Sequence, residues 1–378
     1  MGLSRRFLNL IVAENIRTRS LCCIDLRRND FFYPDPDTSP PPTSLAAAET
    51  IQLPDPTMSF RAGSFRCFPI AGRKVLCTEG RKVFCTEGRR QHALLFDADT
   101  RHVVTMPNLR TFKWRPVSFF VPSAGDADAA DPDGTLFFME KWPKQEARSL
   151  GPESHQFEAF VYRRSSKTSP SKSWRRRLIP PPPFLRDPRY WNRSTKIISS
   201  AIVGGGTHIC ISVDDAGTYC MDTESHEWSK VGEWMLPFRG KAEYVPELKL
   251  WFGLSNSDED QCLVAADLSA MTDSGPELLG EWKDLDDIPG KCRQLWDSQI
   301  VYLGSGRFCI ARFLIMIKLD QDPDIEHFAL FTGVEVIVPK VHEGGCSGDR
   351  HGGGNVGLRV IKHKSRCTPK DTYIENVF

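Results

Sequence analysis

The sequence is short of net charge, of long apolar runs and of helical periodicity. Lysine and arginine total 49 against 48 aspartate and glutamate, a formal net charge of +1. This balance excludes the broad basic field that holds a protein on nucleic acid through phosphate contacts, and only a local basic patch remains open. No segment reaches the uninterrupted apolar length of a membrane-spanning helix. The opening "MGLSRRFLNLIVAENIRTRS" sets two arginines before an apolar run, as a signal peptide does. That run contains Asn9 and stops at Glu14, so it reads as a strand. Gly2 follows Met1, but Arg6 stands where a myristoylation signal needs Ser or Thr.

Catalytic signatures are missing too. The chain has no G-x-x-x-x-G-K-[ST] phosphate loop and no G-x-S-x-G nucleophile elbow. "HGGG", His351 to Gly354, resembles the oxyanion loop of some esterases, yet without an elbow it has nothing to serve. "LGSGR", Leu303 to Arg307, reads as a hairpin turn. The twelve cysteines lack the close pairing of a zinc site, and most sit in strand-like runs such as "LCCIDL", "HICISV", "TYCMDT" and "RFCIAR". Buried free cysteine behaves as a small hydrophobe, so we expect thiols in a reducing compartment, cytosol or nucleus. The sequon Asn192-Arg193-Ser194 would then go unused.

What the sequence does contain is short, β-rich segments. Only Ser44 to Ile51 and Leu268 to Thr272 hint at a turn or two of helix. "FLNLIV", "ALLFDA", "GTLFFME", "FEAFVYRR", "KLWFGLS", "RFCIARFLIMIKL" and "FALFTGVEVIVP" are each bounded by Gly, Pro, Asp, Asn or Ser. Polar stretches at 34–44, 124–134, 163–173 and 342–355 read as loops, since their composition cannot bury a core. The fold class is all-β, with residues 5–378 forming one domain, and many short strands favour a sandwich, barrel or propeller.

Internal repetition separates these architectures. Ala201 to Phe238, "AIVGGGTHICISVDDAGTYCMDTESHEWSKVGEWMLPF", runs strand, glycines, two strands, Asp turn, Trp and closing strand. Gly204 to Gly206 permit positive φ and close backbone approach, where innermost strands crowd a central channel. Asp222 can cap its turn, and Trp228 offers a buried plate between neighbouring sheets. Weaker echoes are "CCIDLRRNDFFYP", "LLFDADTRHVVTMP" and "VAADLSAMTDSGPELLGEWKDL".

With Gly205-Gly206, and Asp222 six residues before Trp228, the unit resembles the kelch repeat. More broadly, "RRFLNLIV", "LLFDADTRHVVTMP", "KAEYVPELKLWFG", "LGSGRFCIARF" and "IKHKSRC" resemble a plant family of kelch-like propellers expanded in grasses. The resemblance implies a single closed kelch-like β-propeller and no particular activity. Units of about fifty residues place five blades between Phe60 and Pro339. A sixth combines N-terminal strands around Phe7 to Phe32 with C-terminal ones near Gly357 to Phe378, closing the ring. Six blades is the expectation and seven the alternative. Propellers of this look often follow an F-box, but strand-like sequence begins by Phe7 and leaves no room for one.

Candidate sites each carry a plainer reading. The octapeptide Arg73 to Gly80 recurs with one change as Arg81 to Gly88, spacing Cys77 and Cys85 eight apart, which fits a tolerated duplication better than a metal pair. His342, Cys346, His351 and the distant Cys367 are zinc-type residues at irregular spacing, best read as loop residues. Arg163, Arg164, Lys167, Lys172 and Arg175 to Arg177 form the densest basic run. It is a nuclear import or acidic-partner signal at most, and more simply charge that protects an edge strand. Pro40 to Pro42 and Pro180 to Pro183 are polyproline ligands or, more simply, strand terminators.

The expected function is therefore a non-catalytic protein-interaction module. It would be monomeric, without metal or cofactor, without catalytic residues, without a strong nucleic-acid signal and without a membrane partner. The rival is a propeller enzyme, oxidase- or hydrolase-like, with its site at the channel mouth. Deleting Arg81 to Gly88 should change stability by no more than about 0.5 kcal/mol in urea denaturation, because it restores one copy. Collapse of the deletion variant would show that the repeat is structural.

Overall fold

The computed structural model describes residues 3–378 except 16–17, 35–47, 62–64, 70–73, 80–92, 112, 114, 124–132, 148–150, 165–171, 192, 194, 257–260, 273, 284, 286–287, 289–291, 319–323 and 339–356. Among the described residues the only helices are short 3-10 turns, Pro183–Arg186, Pro188–Tyr190 and Gly204–Gly206. All else that is regular is strand, so the all-β expectation holds.

The strands run as antiparallel meanders in chain order. β1 (Phe7–Asn15), β2 (Thr18–Asp25) and β4 (Met58–Arg61) form one sheet, separated in sequence by the short β3 (Glu49–Thr50). A second sheet holds β5 (Phe65–Pro69), β6 (Lys74–Glu79), β7 (Ala93–Asp97) and β8 (His102–Met106). A third holds β9 (Val117–Pro122), β10 (Gly134–Met139), β11 (Ser154–Arg164) and β12 (Lys172–Ile179).

Two further meanders follow. β13 (Ile197–Val203) to β16 (Trp228–Gly232) runs through β14 (His208–Val213) and β15 (Gly217–Asp222). β17 (Phe238–Val245) to β20 (Gly275–Trp282) runs through β18 (Leu250–Ser255) and β19 (Leu263–Thr272). A short parallel pairing, Ser199 with Gly240 and Ser200 with Lys241, joins β13 to β17 and makes one eight-stranded sheet of both.

In the next sheet β21 (Cys292–Gln294) and β22 (Gln299–Gly304) pair with different stretches of β23 (Arg307–Lys318), which continues through β24 (Asp324–Ile337) to β25 (Arg359–Cys367). β26 (Tyr373–Val377) then returns to lie antiparallel on β1, so the first sheet draws on both ends of the chain.

Side-chain alternation explains why many strands read as almost continuous apolar runs. Successive side chains point to opposite faces, and here both faces are covered. In β1, Leu8, Leu10 and Val12 pack with Val301, Leu303 and Phe331, whereas Ile11 packs with Val75 and Phe96. In β14, Ile209, Ile211 and Val213 meet Phe157 and Met139 of the preceding sheet, while Cys210 turns to Phe238 and Trp251 of the following one. Further cores join β6 and β7 to β10 through Leu76, Leu95 and Phe138, and β18 to β23 through Phe252 and Phe308.

Several expectations need correction. Glu49–Thr50 is a strand parallel to β25, and Leu268 to Thr272 belongs to β19, so neither helical hint survives where it is described. Local propensity is a weak prior, and pairing with a neighbouring strand overrides it. The C-terminal share of the first sheet is only β26, because Arg359–Cys367 pairs with β24 instead.

Cys210 and Cys220 stand directly opposite in the β14–β15 register, with Cα atoms 4.1 Å apart, and form a disulfide. Composition had shown their apolar surroundings but not their register. Cys22, Cys23, Cys262, Cys292, Cys309 and Cys367 are free.

The glycine run lies in an exposed turn between β13 and β14. Its φ angles of +60°, +65° and +106° are positive as expected, but a side chain at Gly205 would meet open space, so conformation and not crowding demands glycine there. Asp222 caps its turn as expected, accepting from the Glu224 and Ser225 amides at 2.9 and 2.7 Å.

Trp228 is half-buried and not fully buried. It stands edge-on to Phe157 with ring centroids 6.0 Å apart, and its Nε1 donates to the Pro180 carbonyl at 3.0 Å. Both contacts belong to the preceding β9–β12 sheet, so the ring does fill an inter-sheet gap. Trp228→Ala should cost about 2 kcal/mol in urea denaturation, less than a fully buried tryptophan would, and Trp228→Phe should recover most of it. An unchanged midpoint for the alanine variant would contradict this packing role.

Candidate functional site

The residues flagged by sequence do not converge. Cys77 lies on β6, while Cys85 falls outside the described residues. His342, Cys346, His351 and the rest of "HGGG" fall outside them as well, as do Lys167 and Pro40 to Pro42. Cys367 ends β25, its Sγ 3.6 Å from the Thr50 hydroxyl. No group of three or more His, Cys, Asp or Glu side chains among the described residues could hold a metal ion.

The basic run sits on an edge. β12 is the outer strand of its sheet, and Arg175, Arg176 and Arg177 are exposed on it, where charge discourages pairing with another chain. Lys172 pairs with Asp133 at 2.8 Å, and Arg176 donates to the Asn108 carbonyl at 2.7 Å. Arg163 is exposed near the end of β11, which Arg164 closes. Pro181 and Pro182 are buried ahead of the Pro183–Arg186 turn, so this run packs as a strand terminator. Ser305 and Gly306 carry φ of +54° and +71°, the paired positive values of a two-residue hairpin turn between β22 and β23.

Two buried ionic contacts are already saturated. Glu158, fully buried, takes the Lys113 ammonium and the Arg110 amide, which anchors the segment before β9 against β11. His363 accepts from the Tyr33 amide at Nδ1 (3.0 Å) and so donates from Nε2 to Glu335 (3.0 Å), which also receives Arg307. Burial lowers the His363 pKa and keeps the ring neutral, with both nitrogens engaged.

What the fold does bring together is a cavity of about 610 Å³. Every sheet contributes to its lining, chiefly through β26, β5, β9, β13, β17 and β22 and the segments before β9 and β22, with Ala13 of β1, Arg19 of β2, Lys141 just after β10 and Phe313 of β23 added. Six cationic side chains face it, Arg5, Arg19, Arg115, Lys141, Arg239 and Lys241, against the carboxylates Glu243, Asp297 and Glu375. No histidine or cysteine is among its described lining.

Asp297 is the hinge of this arrangement. It precedes β22, yet its two oxygens take Lys141, which follows β10, at 3.0 Å and Arg239 of β17 at 2.8 Å. One carboxylate thus ties together three segments separated by more than fifty residues each. Burial alone would raise its pKa, but attraction to Lys141 and the Arg239 hydrogen bond prevail and lower it from the ordinary 3.8 to about 2. Burial in turn lowers the Lys141 pKa, against the pull of Asp297. Nearby, Arg19 pairs with Glu375 at 2.9 Å, and the Arg115 guanidinium lies 3.4 Å above the Trp296 ring.

No sequence motif pointed to these residues. Arg115, Lys141, Arg239 and Asp297 are isolated charges in unremarkable contexts, and only strand packing makes them neighbours.

Fold and site together define an all-β chain of mostly antiparallel meanders that share a cation-rich cavity. The chain belongs to the family described as "Protein of unknown function (DUF1668)", which it matches over residues 5–368. No curated protein matches it. Among solved structures it is loosely similar to the β-propeller domain of Myceliophteria thermophila Cps50 (Swd1), with TM-score 0.36 and 10% identity over 88% of this chain and 96% of that one. It is also loosely similar to a prolyl endopeptidase, with TM-score 0.33 and 9% identity over 85% of this chain and 46% of that one.

Asp297 also gives the protein a defined acid response. Its folded pKa lies below its unfolded value, so its stabilisation is fully present above about pH 4 and is lost as pH falls through about 2. Asp297→Asn should lower the melting temperature at pH 6, and the gap from the wild type should shrink between about pH 4 and 2. A constant gap over that range would show that the carboxylate charge is not what stabilises.

Proposed function

We propose that the protein is a non-catalytic binding module, built as a single closed kelch-like propeller of six blades, that engages a partner protein at the mouth of its central cavity. The pairing of β26 with β1 supports closure, as does the core that joins β1 to β22–β24. Division of the eight-stranded sheet at its parallel β13–β17 pair supports the count. The observation that carries the functional reading is the lining itself. Every meander contributes to it, and its described side chains are mixed polar and charged, with Gly240 among them. Oxidase or hydrolase chemistry has no observation in its favour.

Cytosol or nucleus suits the six free, largely buried cysteines, whereas the Cys210–Cys220 disulfide departs from the thiols expected there; no described helix is long and apolar enough to cross a membrane. A monomer is the working state. Affinity capture from the native source with the wild type and with Lys241→Glu, at the cavity rim, tests the proposal. A protein retained by the wild type and lost by the variant is the expected result. Equal recovery by both, or none above a tag-only control, contradicts it.

A further inference from the structure

We infer that the cavity is a receptor for a small polyanion bearing two or more phosphate or carboxylate groups. The inference rests on the binding-module reading of this cavity and specifies the chemistry it recognises. Its first ground is charge: among the described lining, six cationic side chains stand against three carboxylate side chains around about 610 Å³, a volume typical of small-molecule sites. In a chain whose overall charges cancel almost completely, that excess is local and placed.

The second ground is independent of charge. The hydroxyls of Ser199 and Ser298 and the indole Nε1 of Trp296 are buried donors with no hydrogen-bond partner among the described residues, and all three residues line this cavity. Ser199 is 1% and Ser298 5% exposed. Unmatched buried donors are costly, and an oxyanion brings acceptors beyond the carboxylates already engaged by Arg19, Lys141, Arg239 and Lys241.

The third ground is preorganisation. Arg19 is held by Glu375, Lys141 and Arg239 by Asp297, and Arg115 by the Trp296 face. A guanidinium presents a planar fork of N–H donors, and fixed cations give up little freedom when an anion arrives. Single strands of nucleic acid need a groove that tracks a backbone, whereas this is one compact cavity.

The test uses the full-length purified chain with sodium pyrophosphate and sodium citrate, each against sodium chloride at equal ionic strength, by thermal shift and titration calorimetry. At least one anion should bind at one per chain and raise the melting temperature above the chloride control. Preference for pyrophosphate assigns phosphate groups, and preference for citrate assigns carboxylates. Arg115→Gln and Ser298→Ala should each weaken binding, the former by about tenfold or more, while the exposed Arg189→Gln leaves it unchanged. If Arg115→Gln fails to fold by circular dichroism, Arg5→Gln takes its place.

The inference is overturned if neither anion exceeds chloride, or if binding survives undiminished in the cavity variants. A chain that binds neither anion yet still loses its partner on Lys241→Glu overturns this inference alone. One that binds the anion and captures no protein overturns the partner proposal alone.

Discussion

The antiparallel pairing of β26 with β1 is the constraint on which the rest of the molecule depends. It runs from Leu10 with Val377 to Ala13 with Tyr373 and is extended by reciprocal backbone hydrogen bonds between Asn9 and Phe378 at 2.9 and 3.0 Å. Through it the last residues of the chain become the inner strand of the first sheet, and the Val377 amide donates to Gln299 of β22 at 2.7 Å. An unpaired β1 would present a row of open amides and carbonyls. Tyr373, Glu375 and Asn376 reach the cavity only because that strand is in place.

The cavity shows how a rigid all-β frame handles charge. Its inner strands cannot all be apolar, since they converge on a space that no sheet fills. Where apolar side chains stop, ion pairs take over, and Asp297 meets two cations from other segments at hydrogen-bonding distance. An ion pair this enclosed is held by geometry, and removing one partner leaves the other two charges facing each other in a poorly solvated space. Elsewhere, charge is either consumed in the interior, as at Glu158 and Glu335, or left on edges, as on β12.

Strands were legible because burial on two faces writes itself into composition. "FLNLIV", "HICISV" and "RFCIARFLIMIKL" each became a strand at the place read for it. Turns were legible for a similar reason: Asp222 and Ser305-Gly306 do locally what their chemistry favours. Illegible were features that depend on which strand lies beside which. The Cys210–Cys220 disulfide is a matter of register, and the strand character of Glu49–Thr50 comes from β25, more than three hundred residues away.

The sequence by itself determined the all-β class, the strand-and-turn order and the lack of any recognisable catalytic motif, because these follow from local alternation and turn chemistry. Tertiary structure alone decided the candidate site. Arg115, Lys141, Ser199, Arg239 and Asp297 share no spacing: Arg115 and Lys141 flank β9 and β10, and the others lie on or beside β13, β17 and β22. Convergence around one cavity is a property of how sheets pack, and sheet packing sums contacts over the whole chain, so no window of sequence can display it.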